Sequence, residues 1–302
     1  MSTPINTSNF GKALWPGINA WYGQAYSEYP VEYTALFDTY KIKRHAIEDV
    51  GTSGLGLAKE TGEGEPVQYE GERQGFITRY VPQQYTLGFM ITEIMIEDDL
   101  YNIIGERKAK ALAFSMRQTK EINGANVYNR AFNSSFVGGD GVELISSAHP
   151  NVSGGTWSNL QSADMSEAAL EQACIDISKF TNDKGLKIAV MPQSLHIPSE
   201  LVFDTHRILQ SVARVGTADN DTNALKDMGK FPGGVHVNHY FTDTDAWFIR
   251  NNVADGMKYI ERRADTFQMS DDFDTSNVKF KASCRYDFGW TDPRCMYGSA
   301  GV

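Results

Sequence analysis

The sequence has few of the residues that supply covalent links or metal ligands. Its 302 residues include three cysteines, Cys174, Cys284 and Cys295, which form neither a C-x-x-C pair nor an even-numbered set. A disulfide framework or a structural zinc site is therefore not expected. No apolar run approaches the roughly 18 residues of a membrane span, and the N-terminal residues lack the basic-then-apolar layout of a signal peptide. We expect reduced thiols in a protein that is made and kept in a cytoplasm.

Positive charge is also scarce. The chain has 28 Lys and Arg against 38 Asp and Glu, which gives a formal net charge of -10. Tight nucleic-acid binding depends on Lys and Arg that displace counterions from phosphates, so this balance predicts at most weak contact with DNA. Hydrophobic residues make up 41% of the chain, with sixteen Phe and five Trp, which is enough for one large core or two moderate ones.

A glycine-rich stretch, "GTSGLGLAKETGEGEP" at 51–66, begins with the glycine spacing of a nucleotide-binding loop. Leu57 and Ala58 stand where that loop needs its Lys and its Ser or Thr, and Lys59 follows two residues late. The acidic residues that follow would repel a phosphate: Glu60, Glu63, Glu65, Glu70 and Glu72. We interpret the stretch as the tip of a long hairpin, in which glycine supplies turn geometry and charge discourages edge pairing. An enzyme that binds a nucleotide with this loop remains an alternative.

Other patterns associated with metal or catalytic sites are incomplete. A calcium-loop pattern over 219–230 lacks its turn glycine and its final acid, because Ala224 and Lys230 stand at those positions. His236 and His239 would point to opposite faces of a strand. The chain has no G-x-S-x-G or H-E-x-x-H motif, although Ser, His and Asp residues distant in sequence could still converge in space. We predict no catalytic residue, no cofactor and no metal.

The N-terminal part predicts an arm followed by a hairpin. Residues 1–40 are rich in aromatics but show no sustained period, and Pro16 and Pro30 interrupt any long helix. Such an arm usually needs another surface to order it. Residues 41–50 and 76–96 alternate as the two sides of an extended hairpin would, with the glycine-rich tip between them.

A long helix is predicted over 97–132, because this segment has no proline and carries acids at its start and bases further along. At about 1.5 Å per residue it would be about 50 Å long, which suits a spine better than a compact core helix. Gly105 and Gly124 are candidates for bends. Its apolar stripe is Leu100, Ile104, Ala111, Phe114, Ile122, Ala125 and Phe132. Residues 133–163 predict loop and a short hairpin.

A separate α/β region follows. Ser166 is expected to cap one helix, a strand is expected over 186–191, and Ser199 is expected to start a second helix. The predicted buried residues of the two helices are Leu170, Ala173, Cys174 and Ile177, then Leu201, Ile208, Leu209 and Val212. Strands over 235–241 and 246–249 close the region. The clearest strand of the chain is 278–290, where apolar residues alternate with Lys, Ser, Arg and Asp.

Several stretches together resemble the major head subunit of Mu-like tailed bacteriophages, a group with the Hong Kong 97 capsid fold. In order, these are "SSAHPNVSGGTWSNL" (146–160), "MSEAALEQA" (165–173), "GTADNDTNALK" (216–226), "DAWFI" (245–249) and "DDFDTSNVKFKASCRYDFGWTDPR" (271–294). The resemblance implies an α+β capsid fold. Its parts would be an N-terminal arm (1–40), an E-loop hairpin (41–84), a P-domain whose first part (85–160) holds a long spine helix over 97–132, an A-domain (161–250), and a second P-domain part with the C-terminal strand (251–302).

The resemblance also implies a function without catalysis. Copies of the chain would form the pentamers and hexamers of an icosahedral shell around packaged double-stranded DNA, assembled in the cytoplasm of a host bacterium and kept in the virion. Expected partners are a portal protein, a scaffolding protein that is either separate or already removed, and a decoration protein; DNA would be contacted weakly, and no membrane is involved. An encapsulin-like nanocompartment shell around cargo enzymes is the alternative with the same fold.

The resemblance places the hairpin tip across a neighbouring subunit, so glycines and charged residues of the tip and basic residues of the spine are candidates for inter-subunit contact. The helix bases could instead face the interior of the shell. The candidates are Gly51, Gly54, Gly56, Lys59, Glu60, Glu63, Glu65, Glu70 and Glu72 on the hairpin, and Arg107, Lys110 and Arg117 on the helix. Lys59 also lies where some capsids of this fold carry a crosslinking Lys, but the sequence identifies no partner for it.

Overall fold

Two long strands form the centre of the fold. The computed structural model describes residues 11–28, 30–92, 94–95, 101–212, 222–272 and 277–302. Strand β11 (Met257–Asp272) pairs antiparallel with β12 (Asn277–Trp290), with register irregularities between Glu261 and Thr266. Strand β4 (Gln83–Ile91) joins β12 antiparallel, and β1 (Asp38–Lys41) joins β11 parallel, which gives the order β1-β11-β12-β4.

The side chains of β12 alternate as predicted. Phe280, Ala282, Cys284 and Tyr286 are buried, whereas Lys279 and Lys281 are exposed. The predicted strand over 278–290 is therefore confirmed. Ser283, on the polar face, is nevertheless buried, because Thr266 and Arg263 of β11 lie against it, with the Thr266 and Ser283 hydroxyls 3.0 Å apart.

A long helix, α3 (Tyr101–Asn129), packs against this sheet. The helix predicted over 97–132 is present, although residues 97–100 lie outside the described residues. Its predicted stripe is only partly confirmed: Ala125 is buried and Phe132 packs against the core, but Phe114 and Ile122 are each 39% exposed. The buried face instead carries Ala109, Leu112, Ala113, Met116, Arg117, Lys120, Glu121, Ala125 and Tyr128. Charged residues occupy the middle of this face, so an apolar pattern could not locate it.

Gly124 lies inside the continuous helix α3 and allows close packing there. A Cβ at Gly124 would lie 3.3 Å from Cβ of Tyr33 and 3.4 Å from the Phe288 ring. The glycine therefore lets α2 (Tyr33–Leu36) and β12 approach the helix, which explains its presence without the predicted bend.

An N-terminal helix, α1 (Gly11–Glu28), was not predicted. Ile18, Tyr22 and Ala25 are buried at helical spacing, and the Tyr22 ring stacks on Phe267 of β11 with centroids 4.6 Å apart. Pro16 lies near the beginning of α1, where it removes a single backbone donor from a helix that tertiary packing stabilises. The prediction that proline prevents a long helix here is wrong.

A two-stranded hairpin projects from the sheet. It is formed by β2 (Ile47–Thr52) and β3 (Gln74–Tyr80), paired antiparallel from Ile47↔Tyr80 to Thr52↔Gln74. The predicted hairpin is present, but its second side ends at Tyr80. Val81 and Pro82 interrupt the chain, and β4 then joins β12, so residues 76–96 are not one side of the hairpin.

A second sheet has five strands: β7 (Leu160–Gln161), β8 (Pro192–Ile197), β9 (Val235–Val237), β10 (Trp247–Asn251) and β13 (Met296–Ser299). Their order across the sheet is β7-β13-β10-β8-β9. The helices α4 (Glu167–Ser178), α5 (Val202–Gln210) and α6 (Ala224–Asp227) accompany it. A short hairpin of β5 (His149–Pro150) and β6 (Thr156–Trp157) precedes it. The buried side chains between these elements include Leu170, Ile177, Leu195, Trp247 and Ile249.

The α/β region confirms some predictions and corrects others. Ser166 caps α4, since its Oγ accepts a hydrogen bond from the Ala169 amide at 3.2 Å. The strand predicted over 186–191 is wrong: the strand-type pairing of this segment is limited to the isolated bridge Thr181↔Lys187 among the described residues, and the strand begins at Pro192. Ser199 begins a 3-10 turn before α5, and Val212, predicted to be buried, is 75% exposed.

Candidate subunit-contact surfaces

The base of the hairpin is anchored to the end of the central sheet. The Asp49 carboxylate of β2 accepts hydrogen bonds from Lys258 Nζ at 2.6 Å and from Thr291 Oγ1 at 3.0 Å. Burial alone would lower the pKa of Lys258, but its hydrogen bonds to Asp255 and Asp49 raise it, so the cation is retained. The buried Tyr80 hydroxyl lies 2.8 Å from Thr291 Oγ1. These contacts fix the direction in which the hairpin projects.

The tip of the hairpin, residues 53–73, contrasts with this base. Ser53 and Arg73 close it, since the Ser53 amide donates to the Arg73 carbonyl and the Arg73 amide donates to Ser53 Oγ, each at 3.0 Å. Beyond them the apolar side chains stay in solvent: Tyr69 is 96% exposed and Leu57 is 78% exposed. Leu55 and Val67 are exposed as well. A tip that buries so little of its apolar surface contributes little to the stability of its own subunit.

The nine hairpin candidates all lie on this projection. Gly51 is on β2, and Gly54 has the left-handed φ of +67° that favours glycine. The Gly56 amide donates to Glu70 Oε2 at 2.6 Å, and Glu70 Oε1 accepts from Lys184 Nζ at 2.6 Å. The remaining candidates are exposed: Lys59, Glu60, Glu63, Glu65 and Glu72. The Gly56 amide, which a bound phosphate would need as a hydrogen-bond donor, therefore already donates to the Glu70 carboxylate.

The three helix candidates have different environments. Arg107 is exposed, and Lys110 is exposed and paired with Glu106 Oε1 at 2.7 Å. Arg117 is only 7% exposed. Its guanidinium lies 5.0 Å from the Tyr26 ring centroid and 3.6 Å from Glu121 Oε1, inside the subunit. The candidate Arg117 is therefore corrected: it packs α3 against α1, whereas Arg107 and Lys110 face solvent.

A buried charge cluster next to Arg117 was missed in the sequence. Lys120 Nζ donates to Asp265 Oδ2 at 2.6 Å and to the Tyr26 hydroxyl at 2.9 Å, and Tyr26 also bonds Asp265. Burial raises the pKa of Tyr26 to about 12, so its phenol stays protonated. The spacing of residues could have indicated that Lys120 is buried, because Lys120 follows Ala113 and Met116 on the same face of the helix.

Residues of two of the quoted stretches meet in one buried joint. The His149 ring stacks on Trp157 with centroids 4.7 Å apart, and its Nδ1 and Nε2 lie 2.7 Å from Asp140 Oδ2 and 3.0 Å from Asn159 Oδ1. The Asn159 amide group donates to the carbonyls of Leu144, Pro293 and Met296. These residues therefore hold the 146–160 loop against the end of the chain.

Arg294 completes this joint. Its guanidinium lies 4.8 Å from the Trp157 ring centroid and donates to Asp183 Oδ1 at 2.9 Å and to Asn151 Oδ1 at 3.0 Å. A planar guanidinium satisfies such a set of acceptors better than an ammonium group could. The residues that carry the resemblance at 146–160 and 291–294 thus have a structural role.

The polar pair that most resembles a catalytic arrangement is enclosed. Ser194 Oγ lies 2.7 Å from His196 Nε2, but both residues are buried on β8, and His196 Nδ1 has no partner in the described part of the chain. Burial, followed by the charges of His236 and Arg250, lowers the pKa of His196 well below its usual value. A neutral, enclosed imidazole without an orienting carboxylate lacks the geometry of a triad.

The described residues contain neither a candidate metal site nor a candidate membrane-spanning helix. Among them, no group of three or more His, Cys, Asp and Glu could hold a metal ion. Residues 219–221 of the calcium-like pattern lie outside the described residues, and Asn223 caps α6 by accepting from the Leu225 amide at 3.1 Å. No described helix combines the length and apolar character needed to cross a bilayer.

The described residues thus combine an anchored hairpin with an exposed apolar tip, a long helix and two sheets. A family model described as phage capsid protein matches residues 76–299, and the chain belongs to this family. The same match favours a phage capsid over the nanocompartment alternative. No curated protein matches the sequence.

Solved structures identify the fold as Hong Kong 97-like. A virus-like particle from Pyrococcus furiosus aligns with a TM-score of 0.56 at 10% identity, over 94% of this chain and 98% of that chain. The mature capsid of bacteriophage PhiM1 aligns with a TM-score of 0.55 at 9% identity, over 91% and 88%. The procapsid of bacteriophage JBD30 aligns with a TM-score of 0.52 at 11% identity, over 98% and 76%. The α+β capsid fold expected from the sequence is confirmed.

Proposed function

We propose that this chain is the major head subunit of a tailed bacteriophage of the Mu-like group, and that its copies form the pentamers and hexamers of an icosahedral shell around double-stranded DNA. The observation that carries the proposal is the hairpin tip, which exposes Leu57 and Tyr69 while its base is anchored by Asp49. Exposed apolar side chains on a fixed projection are suited to burial against another copy. Membership of the phage capsid family supports this use.

The regions would then have the roles that the resemblance implies. Residues 41–84 form the E-loop hairpin, 85–160 and 251–302 the P-domain with α3 as its spine, and 161–250 the A-domain. Residues 1–40 form the arm, although α1 packs on its own subunit. The β13 strand, at the end of the second P-domain part, pairs with β10 and β7, so that part also contributes to the A-domain sheet.

The partners follow from this role. Besides copies of itself, the chain would contact a portal protein, a scaffolding protein and a decoration protein, and it would assemble in the bacterial cytoplasm before residing in the virion. Its net charge of -10 favours weak contact with the packaged DNA. The subunit performs no catalysis in this proposal, and its buried Ser194–His196 pair serves packing.

Electron microscopy of the purified chain, alone and with a candidate scaffolding protein, tests the proposal. We expect closed shells or capsomere rings, and a matching mass by light scattering. The variants Leu57→Ser and Tyr69→Ser should leave subunit unfolding within about 0.5 kcal/mol of the wild type, because both side chains are exposed, yet reduce shell yield. Thr61→Ser is the control in the same tip. A homogeneous monomer in every preparation would overturn the proposal.

A further inference from the structure

The hairpin tip is tied to the body of its own subunit at one point. Within the described residues, the Glu70–Lys184 pair is the one hydrogen bond or ion pair that joins residues 54–72 to the rest of the chain. Oε1 of Glu70 accepts from Lys184 Nζ at 2.6 Å, and Oε2 accepts from the Gly56 amide at 2.6 Å. One carboxylate thus holds both sides of the tip together and attaches them to the α/β region.

The donor on the body, Lys184, belongs to a well-ordered turn. Lys184 lies in a turn that Asn182 organises, since Asn182 Oδ1 accepts from the amides of Lys184 at 3.0 Å and Leu186 at 2.9 Å. The next residue, Gly185, has φ of +79°, which favours glycine. Asp183 is held by Arg294 at 2.9 Å. The turn therefore orders the backbone that carries Lys184, and 18% of the Lys184 side chain is exposed.

The tip brings no comparable support of its own. Its apolar side chains are exposed, and its second carboxylate contact, from Glu65 to the Gly62 amide at 3.2 Å, stays within the tip. The hydrogen bond from Lys184, followed by that from the Gly56 amide, lowers the pKa of Glu70, so the carboxylate is ionised at neutral pH. The tip's position on the body therefore depends on one ion pair whose Glu70 side chain is half exposed, which is a weak interaction that salt screens.

We propose that the Glu70–Lys184 pair is a latch that holds the hairpin tip on its own subunit before assembly and opens when the tip moves to a neighbouring copy. The first step, in which the pair holds the tip on the free subunit, stands by itself. The second step, in which the tip moves to a neighbouring copy, rests on the proposed function. A weak latch suits the purpose, because it is readily exchanged for the apolar contacts of Leu57 and Tyr69 with the next subunit. Removing the Glu70–Lys184 pair should detach the tip from the body of the free subunit and increase the rate of assembly.

Limited trypsin digestion of the free subunit tests the first step. Cleavage after Lys59, in the tip, should proceed about two- to fivefold faster in Glu70→Gln and in Lys184→Gln, which is the range for loss of one exposed ion pair. The double variant should add little to either single variant, because both remove the same contact. Glu65→Gln removes an equal charge from the tip without touching Lys184, and Lys179→Gln removes an exposed cation from the same region. Equal cleavage in Glu70→Gln and Glu65→Gln would overturn the latch.

Light scattering at matched concentration tests the second step. Shells should form faster in Glu70→Gln and Lys184→Gln than in Glu65→Gln and Lys179→Gln. Slower assembly in the first pair would overturn the opening of the latch during assembly and assign Glu70 to a contact between subunits. Absence of shells in the wild type and in all variants would contradict the proposed function instead, while the cleavage rates would still decide whether the tip is latched.

Discussion

Lys120 joins three elements through one ammonium group. It donates to Tyr26 of α1 and to Asp265 of β11 while lying on α3, and it is 5.6 Å from the Tyr286 ring centroid. Burial alone would lower the pKa of Lys120, but the interactions with Tyr259, Asp265 and Tyr26 raise it above its usual value. The residue is therefore a buried cation whose charge is met on several sides.

Replacing Lys120 should destabilise the subunit strongly. In Lys120→Met the carboxylate of Asp265 stays buried without its cation, which should reduce the free energy of unfolding by about 3 to 5 kcal/mol. Urea unfolding followed by tryptophan fluorescence measures the change. The double variant Lys120→Met, Asp265→Leu should recover part of the loss, because no buried charge is left unpaired.

Lys110→Met is the matched control on the same helix. Its pair with Glu106 is exposed and screened by solvent, so its loss should reduce the free energy of unfolding far less than Lys120→Met does. A loss in Lys120→Met no greater than that of the control would contradict a stabilising role for the buried pair.

His196 predicts a pH dependence of stability. Its pKa is depressed in the folded state, so the unfolded chain takes up a proton from about pH 6.5 downward while the folded chain does not. This residue's contribution to stability is complete above that pH and falls by up to about 1.4 kcal/mol per pH unit below it. We expect the unfolding free energy of the wild type to decrease more steeply between about pH 6.5 and pH 5 than that of His196→Gln.

The comparison with His196→Gln removes the contribution of other groups. Glu121, Asp287 and Asp292 have raised pKa values caused chiefly by burial, and they act in the opposite direction as the pH falls. They are present in both proteins and cancel in the difference. Identical slopes in the two proteins would mean that the folded state protonates His196 as easily as the unfolded chain.

At the scale of elements, the contact between β4 and β12 depends on a glycine. Gly88 pairs with Lys281, and a Cβ at this position would clash with the Phe280 carbonyl oxygen. Backbone atoms cannot yield as a flexible side chain can, so Gly88→Ala should cost about 1 to 3 kcal/mol. Chemical unfolding measures the loss.

Gly71→Ala, in the hairpin tip, is the control for this element. A Cβ at Gly71 meets nothing within 4 Å, so its effect should stay within about 0.5 kcal/mol. Equal stability of the two alanine variants would mean that β4 can shift away from β12 without loss.

Elements with a regular apolar–polar alternation or a clear capping residue could be predicted from the sequence. Elements whose position depends on packing against distant parts of the chain could not. The strand at 278–290 has one buried face, and Ser166 precedes a helix as a cap, so local signals were sufficient. The apolar run at 186–191 predicted a strand, but the hydrogen-bonded strand begins at Pro192, because pairing with β9 and β10 decides its place. Helix α1 was missed because its stability comes from packing on α3 and β11.

Among the candidate contact residues, the sequence located the exposed hairpin tip but did not distinguish buried from exposed basic residues on the long helix. Glycine and acidic residues without apolar alternation marked the tip, and the structure has an exposed hairpin tip there. The sequence does not distinguish the buried Arg117 and Lys120 from the solvent-facing Arg107 and Lys110, because the charge of a residue does not indicate whether it is buried. Whether the tip residues contact another copy stays a prediction.

For the whole molecule, charge predicts how assembly responds to salt. Each copy carries a net charge of -10, so subunits repel one another at low ionic strength. Raising NaCl from about 0.05 to about 0.3 M shortens the screening length from about 14 Å to about 6 Å. The initial rate of shell formation, followed by light scattering, should therefore increase severalfold. A decrease in this rate would indicate that ion pairs between subunits outweigh the net repulsion.

The central sheet also bears on when the subunit can fold during synthesis. Strands β1 and β4 come from before residue 92, whereas β11 and β12, which lie between them, come from after residue 256. The roughly 200 residues between Ile91 and Trp290 take about 10 to 40 s to translate at about 5 to 20 residues per second. During that time the sheet that anchors the hairpin does not exist. We therefore expect the hairpin to take its place on the sheet only after β11 and β12 have been synthesised.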